Sequence, residues 1–153
     1  HPELEIVYPV HLSPAVQEAA NELLGGHERI HLISPLDVFD FHNLASRSYF
    51  IMTDSGGVQE EAPSLGKPVL VLRDTTERPE GVRAGTLKLV GTDPDCIKKA
   101  MIDLLTDEKL YKEMSLARNP YGDGKASKRI VQAIQHYFGM AEPVDEFGEG
   151  DKN

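Results

Sequence analysis

Short apolar runs alternate along the chain with longer stretches in which the apolar residues recur at helical spacing. The short runs are rich in Val, Ile, Leu and aromatic residues, as is typical of buried strands. Strands that alternate with helices indicate an α/β fold whose sheet is mostly parallel. The predicted strands are Glu5–Tyr8, Arg29–Ile33, Tyr49–Thr53, Val69–Leu72 and Thr86–Val90.

Proline and glycine mark the ends of the predicted helices. Pro14 suits the first turn of a helix, and the pair Gly25-Gly26 ends that helix. The tripeptide Gly66-Lys67-Pro68 ends a third helix, which begins at Gly56. The other predicted helices are Asp37–Ser46, Asp95–Leu105, Glu108–Leu116 and Ala126–Phe138.

Four polar segments follow predicted strands. Parallel strands end at a common edge, and ligands of open α/β sheets bind outside the carboxyl ends of the strands. We therefore expect the four segments to converge on a binding site. They are His11–Ser13, Pro35–Phe41, Asp54–Glu61 and Arg73–Gly81, and Arg78 in the last of them is predicted to lie in a loop with neither helical nor strand pattern.

The segment Asp54–Glu61, DSGGVQEE, places two glycines where a strand is followed by a helix. The first N–H groups of a helix have no partners inside it and lie at the positive end of its dipole, so they bind phosphate oxygens well. Gly56 and Gly57 carry no side chain that would block a phosphate. Glu61 lies too far along to cap the helix start, and we expect it to accept hydrogen bonds elsewhere, for example from a ribose diol.

Length and charge limit the possible functions. The chain has 153 residues and a formal net charge of −9, which argues against nonspecific nucleic-acid binding. A chain of this size forms about one domain, and we expect that domain at residues 1–139. Residues 140–153 are acidic and contain few apolar groups, so this tail is predicted to be disordered.

Cys96 is the single cysteine, which excludes an intrachain disulfide and a cysteine metal cluster and fits a reducing cytoplasm. No apolar stretch reaches the roughly twenty residues that a membrane span needs, and the first residues do not resemble a signal peptide. The chain begins with His1 rather than Met and enters a predicted strand within a few residues. We expect a cytoplasmic protein without a membrane partner, and we expect the chain to be a piece of a longer one.

The stretch from Thr53 to Gly81, TDSGGVQEEAPSLGKPVLVLRDTTERPEG, closely resembles the signature region of the non-hydrolysing UDP-N-acetylglucosamine 2-epimerases. The resemblance continues in VYPVHLSP (Val7–Pro14), GTLKLVGTD (Gly85–Asp93) and NPYGDGKAS (Asn119–Ser127), and it covers nearly all of the chain up to Phe138. A strand followed by Ser-Gly-Gly and a helix is common among sugar-nucleotide transferases. The long uninterrupted match is far more specific.

The resemblance implies a GT-B-type enzyme, in which two Rossmann-like, three-layer α/β domains face each other across a cleft. This chain would be the C-terminal half. The family interconverts UDP-GlcNAc and UDP-ManNAc by eliminating UDP, forming 2-acetamidoglucal and adding UDP back, without a redox cofactor or a metal. The acids credited with proton transfer belong to the family's first domain, and the His-Arg-Arg-Glu-Asn motif that normally precedes VYPVH is absent here. We therefore expect the chain alone to bind UDP weakly and to be inactive.

The resemblance also implies which residues bind UDP. Ser55, Gly56 and Gly57 would contact the diphosphate, and an ordinary helix start is the plain alternative for these three. Glu61 would bind the ribose, and its plain alternative is a solvated acid on a helix face.

Three more residues are implied by the resemblance. Arg78 would bind the diphosphate or the sugar, and its alternative is a surface ion pair with Glu77 or Glu80. Phe41 would line the uracil pocket, where an aromatic face can stack on a base, and its alternative is core packing. His11 would lie near bound nucleotide, although a lone histidine is more often structural.

The implied partners are UDP-GlcNAc or UDP, the N-terminal domain of the same enzyme, and a second copy in a homodimer. The product would supply ManNAc units to cell-surface polysaccharide. Two alternatives remain open. A GT-B glycosyltransferase could share the diphosphate-binding helix, although the TERPE segment (Thr76–Glu80) fits the epimerases better. A non-catalytic nucleotide-sugar binding module is the other.

Overall fold

A computed structural model of the chain describes residues 1–145 and residue 147. These residues form an α/β fold in which every strand pairing is parallel. The chain divides into two compact units, unit 1 at residues 1–44 and unit 2 from residue 45 onward. The strands are β1 Ile6–Pro9, β2 Ile30–Ile33, β3 Ile51–Thr53, β4 Val69–Val71 and β5 Leu87–Leu89. The helices are α1 Pro14–Leu24, α2 Val38–Arg47, α3 Gly56–Glu61, α4 Pro79–Ala84, α5 Pro94–Thr106, α6 Glu108–Leu116 and α7 Ala126–Tyr137.

Unit 1 contains a parallel pair of strands joined by a helix. Strand β1 pairs with β2 so that Ile6 lies opposite Ile30, and α1 connects the two strands. The N–H of Val10 donates to the carbonyl of Ile33 at 2.9 Å, which extends the pairing beyond the end of β1. The segments that follow β1 and β2 therefore leave the pair at the same edge.

Unit 2 is built on a three-stranded parallel sheet with the order β3-β4-β5. The central strand β4 is buried along its length, as expected of a parallel strand covered on both faces. Its side chains alternate between two cores: Leu70 packs with residues of α5 and α6, whereas Val69 and Val71 pack on the opposite face. Helices thus cover both faces of the sheet, and unit 2 has three layers. The first core contains Leu70, Val90, Ala100, Leu104 and Met114, and the second Ala62, Val69, Val71 and Leu87.

The predicted α/β class and the parallel pairing are confirmed. The predicted strands agree with the observed ones to within about two residues at every end. The third predicted helix is observed as two consecutive elements: α3 ends at Glu61, and the chain continues as a 3-10 helix, Ala62–Leu65. Pro63 has no N–H to donate to a preceding turn, and Gly66 ends the 3-10 helix in the left-handed conformation with φ of 66°.

Arg78 lies outside the regular elements, as predicted, but the chain enters an unpredicted short helix at the next residue, because α4 begins at Pro79. Proline suits the first position of a helix, and Gly85 ends this helix in the left-handed conformation with φ of 83°. Both signals are in the sequence. The helix is too short for its apolar residues to show a period.

The predicted tail, residues 140–153, lies partly outside the described residues, and both its disorder and the domain at 1–139 stay predictions. Its described part contacts α7: Gln132 donates to the carbonyl of Pro143 at 3.1 Å, and Arg129 donates to the carbonyl of Asp145 at 3.3 Å. The guanidinium of Arg129 lies 5.7 Å from the centre of the Phe147 ring. Across the described chain, no helix is long and apolar enough to cross a membrane.

Candidate functional site

The residue before α3 presents its side chain to solvent rather than to the helix. Ser55 has an extended backbone, with φ of −78° and ψ of 129°, and its N–H donates to the hydroxyl of Thr53 at 3.0 Å. Among the described residues, the Ser55 hydroxyl caps no N–H group of α3. Since the first N–H groups of a helix have no acceptors inside it, the hydroxyl and these N–H groups together can bind an anionic ligand.

The two glycines at the start of α3 face different neighbours. A Cβ on Gly57 would lie 3.9 Å from both the hydroxyl oxygen of Ser55 and Oε1 of Glu61. A Cβ on Gly56 would lie 2.7 Å from Oε1 of Glu77 and 3.9 Å from Nη2 of Arg78. The space above Gly57 is therefore bordered by Ser55 and Glu61, whereas Gly56 lies against the segment that carries Arg78.

Arg78 occupies the N-cap position of α4, and its guanidinium has three distinct neighbours. Nε donates to the carboxylate of Glu60, Nη1 donates to the carbonyl of Glu77 at 3.4 Å, and Nη2 lies on the side of Gly56. The hydrogen bond to Glu60 is the main cause that raises the pKa of Arg78, so the group is a permanent cation. The alternative pairing considered from the sequence, with Glu77 or Glu80, is replaced by an ion pair with Glu60.

A second ion pair lies beside the first. Nη1 of Arg73 donates to Oε2 of Glu77 at 2.7 Å. The pKa of Glu77 is lowered, first by a hydrogen bond from its own backbone N–H and then by Arg73. Glu77 is therefore ionised, and its carboxylate is paired with Arg73 while it also lies near the positive charge of Arg78.

Two site residues that the sequence did not single out are Gln59 and Thr76. Gln59 is fully buried; its Nε2 donates to the carbonyl of Ser55 at 3.2 Å, and its Oε1 accepts from the Thr76 hydroxyl at 2.6 Å. The same hydroxyl accepts from the N–H of Arg78 at 3.0 Å. Glutamine is usually exposed, so nothing in the local pattern distinguishes Gln59 from its charged neighbours.

Tyr121 is a third such residue, and it lies in the NPYGDG segment. Its hydroxyl accepts from the N–H of Gly81 at 3.1 Å and donates to the carbonyl of Arg78 at 3.5 Å. Burial raises the pKa of Tyr121, so the hydroxyl is protonated at neutral pH. The resemblance of this segment to the family's pattern was the signal that could have identified it.

The structure brings five of the seven predicted site residues together in unit 2: Ser55, Gly56, Gly57, Glu61 and Arg78. The other two, His11 and Phe41, belong to unit 1. His11 is exposed, and its Nδ1 accepts from the N–H of Ser13 at 3.1 Å, which orients the ring at the start of α1. Phe41 is half-buried on α2, with its ring 6.0 Å from that of His42.

A metal centre has no support in the described part of the chain, where no group of three or more His, Cys, Asp or Glu residues could hold an ion. Cys96 is exposed, and a hydrogen bond to Asp93 raises the pKa of its thiol. The chemistry that the site offers is that of hydrogen-bond donors and the guanidinium of Arg78 at the start of α3, with the carboxylates of Glu61 and Glu77 beside them. Donors with a guanidinium suit a phosphorylated ligand, while a carboxylate can accept from its hydroxyl groups.

Comparison with known proteins gives a consistent result. The family model described as UDP-N-acetylglucosamine 2-epimerase matches residues 1–135. The chain is 64% identical over 146 residues to the UDP-N-acetylglucosamine 2-epimerase of Bacillus subtilis, a match that covers 95% of this chain and 38% of the relative. It is 54% identical over 136 residues to the enzyme of that name from Escherichia coli K12, covering 89% of this chain and 36% of the relative.

Solved structures agree with the sequence relatives. The S. aureus MnaA–UDP co-structure superimposes with a TM-score of 0.89 at 58% identity, covering 97% of this chain and 41% of that one. The Neisseria meningitidis UDP-GlcNAc 2-epimerase bound to UDP-GlcNAc gives a TM-score of 0.83 at 48% identity, over 89% and 37% of the two chains. The chain thus spans somewhat more than a third of the length of these proteins. From the family model and these identities, the chain belongs to the UDP-N-acetylglucosamine 2-epimerase family.

Proposed function

We propose that this chain is the UDP-binding, C-terminal part of a non-hydrolysing UDP-GlcNAc 2-epimerase, an isomerase that interconverts UDP-GlcNAc and UDP-ManNAc. The observation that carries the proposal is the clustering of Ser55, Gly57, Glu61 and Arg78 around one open helix start. Family membership supports it, as do the relatives of high identity that were solved with UDP or UDP-GlcNAc.

Each clustered group has a role that follows from its chemistry. The Ser55 hydroxyl and the N–H groups of Gly56 and Gly57 donate to the diphosphate, and the guanidinium of Arg78 offsets its charge. The Glu61 carboxylate accepts hydrogen bonds from the two ribose hydroxyls. The resemblance to the family gives Phe41 the role of stacking on the uracil and His11 a place near bound nucleotide, and both roles stay proposals for residues of unit 1.

The proposed reaction is an elimination followed by an addition. A proton leaves C2 of the sugar while the C1–O bond to UDP breaks, which yields 2-acetamidoglucal and UDP. The reverse addition then delivers a proton to the other face of C2 and re-forms the C1–O bond. Negative charge grows on the diphosphate as UDP leaves, and donors that are already in place stabilise such charge without reorganising.

The proton transfer requires groups outside the cluster. The chain spans about 38% of the length of the Bacillus subtilis relative, and we propose that a second domain supplies the acids for C2 and closes over the nucleotide. Closure would exclude water and protect the glucal intermediate. On this proposal the chain alone binds UDP weakly and does not turn over UDP-GlcNAc. The complete enzyme would act as a homodimer in the cytoplasm and feed cell-surface polysaccharide synthesis.

Titration calorimetry of UDP against the chain tests the binding assignment. Ser55→Ala, Glu61→Ala and Arg78→Ala should each weaken binding by about tenfold, because each removes a hydrogen bond or charge that contacts the ligand. Arg83→Ala is a matched control, since Arg83 is an exposed arginine at the other end of α4. A measurable affinity that none of the three site substitutions alters would overturn the assignment.

The reaction itself is tested in a protein that joins this chain to a second domain like that of its relatives. Incubation with UDP-GlcNAc in deuterated water, without any acceptor, should introduce deuterium at C2 because the proposed intermediate takes a proton from exchangeable groups. A glycosyltransferase would leave C2 unlabelled. The isolated chain is the control and should leave the substrate unlabelled as well.

A further inference from the structure

A continuous set of hydrogen bonds connects the start of α3 to the backbone of Arg78. It runs from the Ser55 carbonyl to the Gln59 side chain, from there to the Thr76 hydroxyl, and from that hydroxyl to the Arg78 N–H. We propose that Gln59 and Thr76 are positioning residues, which hold Arg78 in register with Ser55 and the glycines for UDP. This inference rests on the proposed function.

Because Gln59 is buried, both polar groups of its amide need a partner, and this requirement fixes the direction of the hydrogen bonds between Ser55 and Thr76. Gln59 has no exposed surface, and a buried amide that loses a partner leaves an unsatisfied polar group, which is costly. Its Nε2 can only donate and its Oε1 can only accept, so the amide has one orientation, with nitrogen toward Ser55 and oxygen toward Thr76. The Thr76 hydroxyl then has its proton directed at Gln59 and a lone pair directed at the Arg78 N–H.

Helix α3 therefore holds Arg78 at two points. Gln59 acts on the backbone of Arg78 through Thr76, and the adjacent Glu60 holds the guanidinium at Nε. The space above Gly57 is bordered by Ser55 and Glu61 rather than by these two residues. Hydrogen bonds thereby join groups that are more than 20 residues apart in the sequence, and such links limit the ordering that a bound diphosphate must impose.

Neither Gln59 nor Thr76 borders the space above Gly57, so their effect on UDP is transmitted through Arg78. Residues that act in this way can be distinguished by experiment from residues that contact UDP. A contact residue would change affinity without changing the free protein, whereas a positioning residue changes the order of the Arg78 segment even when no ligand is present. The two effects can be measured on the same sample.

The test compares Thr76→Val, which keeps the shape and removes the hydroxyl, with Thr76→Ser, which keeps the hydroxyl. We expect Thr76→Val to weaken UDP binding by about fivefold to tenfold, as the loss of one ordering hydrogen bond predicts. It should also speed hydrogen exchange at the Arg78 N–H in the ligand-free chain. Thr76→Ser should keep both the UDP affinity and the exchange rate at the Arg78 N–H close to those of the unaltered chain. Thr106→Val is the matched control, because the Thr106 hydroxyl donates locally, to the Ile102 carbonyl on α5.

The experiment distinguishes a failure of the positioning role of Gln59 and Thr76 from a failure of the proposed UDP site. If the unaltered chain does not bind UDP, the proposed function fails, and the exchange measurement alone then decides whether the link orders Arg78. If UDP binds and Thr76→Val changes neither affinity nor exchange, the link is overturned while the UDP site stands. A change of affinity without faster exchange overturns it too, because the hydroxyl would then act on the ligand itself. Circular dichroism checks the fold, and Thr76→Ala replaces Thr76→Val if the latter does not fold.

Discussion

The hydroxyl of Tyr121 accepts a hydrogen bond from the backbone N–H of Gly81 at 3.1 Å, across 40 residues of chain. Gly81 lies in the first turn of α4, where N–H groups have no acceptors inside the helix. Among the described residues, Arg78 at the N-cap position provides no side-chain cap for this helix. A distant tyrosine therefore takes the place of the local capping residue that most helices have, and it does so beside the arginine assigned to UDP.

Replacing Tyr121 with Phe should destabilise the chain. The ring is kept, but the buried Gly81 loses its acceptor, and we expect the free energy of unfolding to fall by about 1–2 kcal/mol. Urea denaturation measures this as a lower midpoint with an unchanged slope. Tyr137→Phe is the control, because Tyr137 is 84% exposed on α7. Equal midpoints for the two variants would show that the hydroxyl does not stabilise α4.

Gly81 itself should tolerate no side chain. A Cβ at this position would overlap Cδ1 of Leu87 and the hydroxyl of Tyr121, both of which are held in place by the sheet and by α4. Overpacking of this kind costs about 1–3 kcal/mol, so Gly81→Ala should lower the denaturation midpoint. The double variant Gly81→Ala with Tyr121→Phe should lose less stability than the sum of the two single changes, because Tyr121→Phe removes the hydroxyl oxygen that the new Cβ at position 81 would overlap. Strict additivity would contradict the packing account.

Gly57→Ala, in contrast to Gly81→Ala, should leave the stability of the chain equal or higher and should instead weaken UDP binding. The nearest atoms to a Cβ at Gly57 are 3.9 Å away, which is ordinary contact, and the residue lies in the first turn of α3. Alanine in a helix is more favourable than glycine by up to about 1 kcal/mol, so stability should be equal or higher. The methyl group would occupy the space between Ser55 and Glu61, and UDP affinity should fall by about tenfold or more. Calorimetry with UDP and urea denaturation measure the two quantities separately. If affinity is retained, the diphosphate does not approach Gly57.

The sequence predicted the elements of this fold well because their signals are local. The apolar runs, the Pro14 helix start and the glycine stops each act within a few residues, and the observed ends lie close to the predicted ones. Helix α4 was missed because six residues give no period. Its Pro79 and Gly85 were visible as boundary signals, but nothing between them indicated a helix.

The predicted site was incomplete for a different reason. Ser55, Glu61 and Arg78 are recognisable because they match a pattern in one segment of the chain. Gln59 and Tyr121 act through contacts with residues 17 and 40 positions away; no local pattern indicates such pairs, and only the family resemblance of its segment pointed to Tyr121. Glu60 carries no signal of its own in the sequence, because a glutamate on a short helix is usually solvated, whereas here it holds the guanidinium of Arg78.

A pH-dependent contribution to stability is expected from the pair of Asp123 and Arg129, which joins the turn before α7 to that helix. Two parallel hydrogen bonds connect the guanidinium to the carboxylate, at 2.7 Å and 2.9 Å, and the N–H of Lys125 donates to the same carboxylate at 3.0 Å. These bonds, those of Arg129 first, hold the pKa of Asp123 well below the ordinary value of an aspartate. A depressed pKa in the folded state means that the pair stabilises the fold fully above the ordinary pKa, near 4. The stabilisation is lost as the pH falls from there through the folded pKa.

Asp123→Asn tests whether the stabilisation by this ion pair is lost as the pH falls. Asparagine keeps an acceptor for the Lys125 N–H but carries no charge, so the variant should melt at a lower temperature than the unaltered chain at pH 7. The difference between the two melting temperatures should remain constant down to about pH 4 and then narrow as Asp123 takes up a proton. Melting curves at pH 7, 5, 4 and 3 measure the difference, and Glu18→Gln on the exposed face of α1 is the control for charge removal alone. A difference that stays constant or widens below pH 4 would show that the carboxylate is not held ionised by Arg129, since only a carboxylate with a depressed pKa loses its advantage over asparagine in acid.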